Sequence, residues 1–192
     1  MNIEQHPFEP FLPKGAKVLM LGSFPPQEKR WSIRFYYPNF INDMWRIFGL
    51  VFFGDKDRFV DAKAKKFRLD DIVEFCTAKG IAMYDTATAV RRLKDNASDK
   101  FLEVVTPTDI PALLRNIPEC RAIVVTGEKA ETTLCATFGI MNPPQTGKYS
   151  EFAFDGRQMQ LWRMPSSSRA YPLPLQQKAE IYGNMFKEIG LA

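Results

Sequence analysis

"KVLMLGSFPP", Lys17 to Pro26, decides how the rest of the chain is read. Four apolar residues, Val18 to Leu21, stand together between a lysine and a glycine, which is the pattern of a short buried strand. Gly22 then lets the backbone turn close to a neighbour or ligand, and Pro25 and Pro26 fix the path that follows. A buried strand that opens into a stiff loop makes its exit a place where chemistry can be held.

Outward from this strand, apolar runs bounded by turn signals alternate with helical patterns. "INDMWRIFGLVF" places Met44, Ile47, Phe48 and Val51 at helical spacing, and a longer helical region is expected over 57–79 with Gly80 as its C-cap. "IAMYDT" and "RAIVVTG" read as further strands, and "TPTDIPALLRNI" offers a Thr or Asp cap before a short amphipathic helix. "EKAETTLCATFG" reads as a helix stopping at Gly139. Residues 141–150 read as a linker, and "EFAFDGRQMQLWRM" as a hairpin turning at Asp-Gly. "LPLQQKAEIYGNMFKEIGLA" closes the chain as a helix. Alternating strands and helices predict an α/β domain with a mainly parallel sheet.

Composition narrows the classes. The 192 residues fit one domain, 45% are hydrophobic and 25% charged, and no repeat or internal boundary is evident. No apolar run approaches the ~20 residues of a bilayer crossing and the start has no leader pattern, so a soluble cytoplasmic protein is expected. A formal net charge of +4 permits a polyanionic partner without requiring one. Cys76, Cys120 and Cys135 fit neither a disulfide framework nor zinc spacing, and read as buried thiols. His6 is the only histidine, so a mechanism needing a His base, a triad or a His-rich metal site is not expected.

In open parallel sheets, ligands bind beyond the carboxyl ends of the strands. Two loops with unusual composition should open there. The first, Gly22 to Trp45, carries Phe35, Tyr36 and Tyr37, which either fold into the core or offer a face for a planar base; stacking is worth about 1–3 kcal/mol per base. Asn39 and Asn42 follow, each able to read a base edge or hold water, while Asn42 also stands where a helix begins and could cap it. Arg30 and Arg34 flank the aromatics, and Glu28 and Asp43 are the nearby carboxylates. The second loop is "RMPSSSRAYP", Arg163 to Pro172, in which three hydroxyl residues lie between prolines.

Together the two loops resemble the uracil-DNA glycosylase superfamily. "MPSSSRA" is similar to the DNA-insertion motif of the mismatch-specific thymine/uracil branch. "LGSFPP" followed by "YYPNFINDMW" resembles the strand-exit motif and Asn-x-aromatic-Trp signature, above all as in the hypoxanthine-DNA glycosylase branch. The motifs span most of the chain, and "AMYD", ending at Asp85, falls where the family has a core strand with an acidic end. The resemblance implies one domain over 1–192, a three-layer α/β/α sandwich on a central, mainly parallel four-stranded sheet, and a monofunctional DNA glycosylase acting on uracil or hypoxanthine in base excision repair.

Carried over by position, Asn42 becomes the catalytic candidate with Trp45 as its anchor. Tyr37 becomes the stacking aromatic, and Ser23 and Phe24 the base-pocket backbone. Ser166, Ser167, Ser168 and Arg169 become the DNA-gripping and insertion segment, with Arg169 one residue out of the mismatch branch's register. Departures from the pattern are a first motif without Asp or Asn, Met164 where other branches have histidine, and Phe40 and Ile41 where a proline is expected. The implied mechanism flips a nucleotide from DNA and proceeds through an oxocarbenium-like sugar, with no cofactor. The expected partner is DNA containing a deaminated or mismatched base, bound by a monomer. The alternatives are a non-catalytic nucleic-acid-binding module of the same fold, or an unrelated α/β enzyme; the latter lacks a Gly-rich phosphate loop or nucleophile elbow.

Overall fold

The computed structural model describes residues 2–93 and 101–192. In chain order its elements are β1 (Ile3–Gln5), β2 (Val18–Gly22), α1 (Met44–Phe53), β3 (Val60–Asp61), β4 (Lys66–Phe67), α2 (Leu69–Lys79), β5 (Ile81–Asp85) and β6 (Ala87–Arg92). There follow β7 (Leu102–Pro107), α3 (Ile110–Asn116), β8 (Ala122–Val125), α4 (Glu128–Phe138), β9 (Lys148–Phe154), β10 (Arg157–Arg163) and α5 (Leu175–Glu188).

The central sheet has the order β5-β2-β8-β10-β9. The first four strands are mutually parallel, and β9 adds an antiparallel border through the β9–β10 hairpin. The parallel part therefore has the expected four strands, and the hairpin makes a fifth. Its turn residues Asp155 and Gly156 both have positive φ, 45° and 72°, as a two-residue hairpin turn requires. Val18 to Leu21, Ile81 to Asp85 and Ala122 to Val125 are buried along their whole length, so both faces of these strands are covered. The order explains why: the chain moves one way from β2 to β5 and the other way through β8 to β10, and right-handed crossovers then put helices on opposite faces.

The apolar runs of the sequence became this sheet, and the glycines predicted as stops, Gly80 and Gly139, end α2 and α4 in the left-handed region. Asp109 caps α3 by accepting from the Ala112 N–H at 3.0 Å. The helix expected over 57–79 forms only from Leu69. Before it lies a small hairpin in which Val60 pairs with Phe67. "DAKAKK" has good helix formers but no apolar stripe, whereas a hairpin buries Phe59 and Phe67 completely. The linker expected over 141–150 ends early, because β9 begins at Lys148. The second, antiparallel sheet, β1-β6-β7, was not expected; three residues of β1 with one half-buried side chain carry no readable period.

Cys76, Cys120 and Cys135 are free and buried. Burial raises all three thiols, that of Cys120 to about 11. Among the described residues, no helix is long and apolar enough to cross a membrane, and no group of three or more His, Cys, Asp or Glu is placed to hold a metal ion.

Candidate active site

The four parallel strands end on one rim. Gly22 of β2 and Asp85 of β5 are register partners, Thr126 follows β8, and Arg163 ends β10. A cleft of about 820 Å³ opens over them, walled by the first loop on one side and the serine loop on the other. The residues assigned to the site by position, Ser23, Phe24, Tyr37, Asn42, Ser166, Ser167, Ser168 and Arg169, line it, as do Arg30 and Asn39, whereas Glu28, Arg34, Phe35, Asp43 and Trp45 do not.

The first loop is held by bonds its own polar residues make. Ser32 donates both its N–H and its hydroxyl to the Pro38 carbonyl, and the Trp31 indole donates to Pro26 at 2.7 Å. Arg92, from β6, forms a two-pronged pair with Glu4 of β1 and also donates to the Pro25 carbonyl. Trp45 is fully buried and donates its indole N–H to Tyr36 O.

The three consecutive aromatics divide. Tyr36 is core, 3% exposed, with its hydroxyl on Glu9 O at 2.7 Å; burial first, then the nearby Asp85, pushes its phenol up. Phe35 packs against Phe11, Tyr36 and Trp45. Tyr37 lines the cleft as Tyr36 does, but is half-buried with its ring edge against Trp45 and φ at 49°, a rare conformation for a bulky residue. Phe24 is buried against Ala87, Val90 and Leu102, with the Ser23 to Pro26 backbone along the cleft wall.

Asn42 does two things. Its Oδ1 accepts the Met44 N–H at 2.9 Å and so starts α1, while the residue lines the cleft. An amide oxygen has two lone pairs, so one remains for a second donor. Arg46 steadies this turn: it donates to Phe40 O and Asn42 O and lies over the rings of Phe40 and Phe67. Phe40 is thus the seat of that guanidinium.

The serine loop is pinned from below by three carbonyl contacts. Pro165 O accepts the Tyr182 hydroxyl, Ser167 O accepts the Asp43 N–H, and Ser168 O accepts Lys178 Nζ at 2.8 Å. Lys178 is 1% exposed and also pairs with Asp43 at 3.1 Å, so both residues serve the scaffold. Ser167 is buried, and only Ser166 and Ser168 stand toward solvent. Arg169 folds back to Asp43 at 3.3 Å with about half its side chain exposed. Glu28 pairs with Arg34 in solvent, away from the strand ends.

Two residues at the floor have no site role from the sequence, where Asp85 stands only as the acidic end of a core strand and His6 only as the single histidine. Asp85 lines the cleft at the end of β5, and His6 Nε2 lies 2.9 Å from Asp85 Oδ2. Both side chains are nearly excluded from solvent, at 3% and 9% exposure. A charged residue ending the otherwise apolar "IAMYD" was the available signal for Asp85. Nothing in the leader marks His6, which arrives there only because β1 pairs with β6.

Comparison with known proteins places this architecture. No protein-family profile matches the chain, and neither does any curated protein. Among solved structures, that of a presumed uracil DNA glycosylase from Methanosarcina acetivorans superposes with a TM-score of 0.63 at 20% identity, over 98% of this chain and 99% of that one. The chain has the α/β fold of that protein, with a mainly parallel central sheet.

Proposed function

We propose that this chain is a monofunctional DNA glycosylase that rotates a deaminated base, uracil or hypoxanthine, out of DNA and hydrolyses its N-glycosidic bond, the opening step of base excision repair. The observation that carries this reading is that Asn42, Tyr37 and the Ser166–Ser168 turn line one cleft at the strand ends, roomy enough for a nucleotide. The fold shared with the Methanosarcina protein supports it.

In this reading the base stacks on Tyr37 beside the Ser23–Phe24 backbone. Ser166 and Ser168 approach phosphates on a turn whose own carbonyls are already satisfied from below, so the loop keeps its shape under load. The C1′–N bond breaks with its electron pair leaving on the base, water adds its oxygen to C1′, and the proton that water gives up passes through solvent to the departing base anion. Asn42 Oδ1 orients that water through its remaining lone pair. The DNA's own phosphates stabilise the cationic sugar, so positioning can supply much of the rate. Extrusion costs a few kcal/mol and least at a mismatch.

Labelled duplexes carrying uracil, hypoxanthine, xanthine or a thymine mismatch, incubated with the protein and then treated with alkali, test this directly. Strand scission on at least one is expected. One observation favours the second reading, a non-catalytic DNA-binding module: the first loop brings no carboxylate to the cleft, and Asn42 already spends one lone pair on its helix. Binding without scission on every duplex would establish that alternative.

A further inference from the structure

We infer that His6 is a positioning residue that holds the Asp85 carboxylate with one oxygen committed to the ring and the other available to the cleft, and that this acceptor restricts the site to bases carrying a ring N–H. The inference rests on the reading of the cleft as a base site.

The geometry has three parts. First, Oδ2 of Asp85 is 2.9 Å from His6 Nε2, and the imidazole is itself fixed, its Nδ1 lying 2.9 Å from Phe8 O and 3.1 Å from Phe8 N. A neutral ring with the proton on Nε2 accepts from Phe8 N–H, and an imidazolium donates to Phe8 O. In both cases Nε2–H donates to Asp85. Second, the ring is packed against Phe8, Phe24, Tyr36 and Tyr84, with centroids 4.5 to 6.3 Å away, so it cannot swing. Third, Asp85 Oδ1 lies 2.4 Å from where a Cβ on Gly22 would be, so the missing side chain at the β2 exit makes the room that this oxygen occupies.

An ionised carboxylate only accepts hydrogen bonds. Uracil at N3 and hypoxanthine at N1 present a ring N–H to it. Cytosine at N3 and adenine at N1 present a bare lone pair, which Asp85 would repel. Deamination converts the second kind of edge into the first, so a fixed acceptor here distinguishes uracil and hypoxanthine from their parent bases cytosine and adenine by one proton, while thymine and guanine, which also carry a ring N–H, must be excluded by other contacts. A buried polar group left facing the wrong partner gives strong discrimination. The N-terminal segment thus belongs to the site although no catalytic step uses it.

The test uses the full chain and two paired probes: free uracil against 3-methyluracil, and hypoxanthine against 1-methylhypoxanthine, with affinities read by calorimetry, beside the duplex excision assay. The methyl group removes the ring N–H; its steric cost persists in every variant, and its hydrogen-bond cost follows His6 and Asp85. Wild type should disfavour the methylated bases about tenfold more than His6→Ala does. His6→Gln, whose amide can still donate to Asp85, should recover most of that difference. Asp85→Asn, which keeps the side-chain volume should His6→Ala fail to fold, should also lose it, because the amide can turn a donor to the cleft.

A methyl penalty unchanged in folded His6→Ala or Asp85→Asn, with excision intact, overturns the inference and leaves the glycosylase reading standing. A penalty that depends on His6 in a protein that excises nothing supports the inference and overturns excision. A wild type that neither excises nor binds these bases overturns both.

Discussion

Asn42 is asked to do two jobs, and they can be separated. Removing its side chain takes away the bond that starts α1, worth about 1 kcal/mol, or roughly 2–4 °C in Tm for a chain of this size. If it also orients water, Asn42→Ala should lower single-turnover excision a hundredfold or more while duplex affinity changes little. Asn42→Asp keeps an acceptor for Met44 N–H and should recover the melting temperature. An Asn42→Ala protein with wild-type excision would remove this residue from the chemistry. Gly22 makes a sharper demand. An alanine there must displace the Asp85 carboxylate, against which its Cβ would lie at 2.4 Å, so Gly22→Ala is expected to lower both Tm and excision. Circular-dichroism melts and the alkali assay on one preparation report the two effects.

The serine loop acts as an element because its backbone is bolted to two helices. Asp43 at the start of α1 donates its N–H to Ser167 O and pairs through its carboxylate with Lys178 of α5, which donates to Ser168 O. Lys178→Met leaves a buried carboxylate with only the half-exposed Arg169 as ion-pair partner, and breaking a buried pair costs about 3 kcal/mol or more. A Tm loss of roughly 6–12 °C is expected. Amide exchange should quicken at Asp43, whose acceptor sits on the loosened loop. The same interdependence explains the hairpin at 60–67, where neighbours overrode a local tendency. Lysine-rich "DAKAKK" would suit a helix, but the hairpin pairs Val60 with Phe67 and lets Phe59 pack on Trp45, Phe53 and Phe75.

At the scale of the molecule, the net charge of +4 is too small to hold a polyanion by itself, so if the chain binds DNA as proposed, the cations facing the cleft should set the salt dependence of that binding. Arg169→Ala should weaken duplex binding about equally for all sequences and reduce the slope of log K against log salt by about one. A slope unchanged from wild type would place Arg169 with the scaffold, tied to Asp43. Closure of the core is testable through its thiols. Cys76, Cys120 and Cys135 should react with an aromatic disulfide reagent only on unfolding. Because burial raises the Cys120 thiol to about 11 in the folded state, the folded protein keeps a proton that the unfolded chain loses nearer 8.5. Stability is therefore lost as pH rises from about 9 to 11, and less so in Cys120→Ala.

The sequence by itself determined the α/β class, the glycine stops of α2 and α4, the cap of α3 and the two loops that meet at the cleft. These depend on local properties: unbroken apolar runs for buried strands, glycines that alone turn left-handed at little cost, and prolines that stiffen a loop. Only the tertiary structure decided that Tyr36 and Tyr37 line the cleft while Phe35 packs away from it, that Asn42 bonds the first N–H of a helix while lining the site, and that Arg169 folds back on Asp43. It also brought His6 to Asp85, 79 residues away, through a three-residue strand. Such pairings depend on β1 finding β6 and on Gly22 leaving a space, and no period or composition within a short window records where two distant segments will touch.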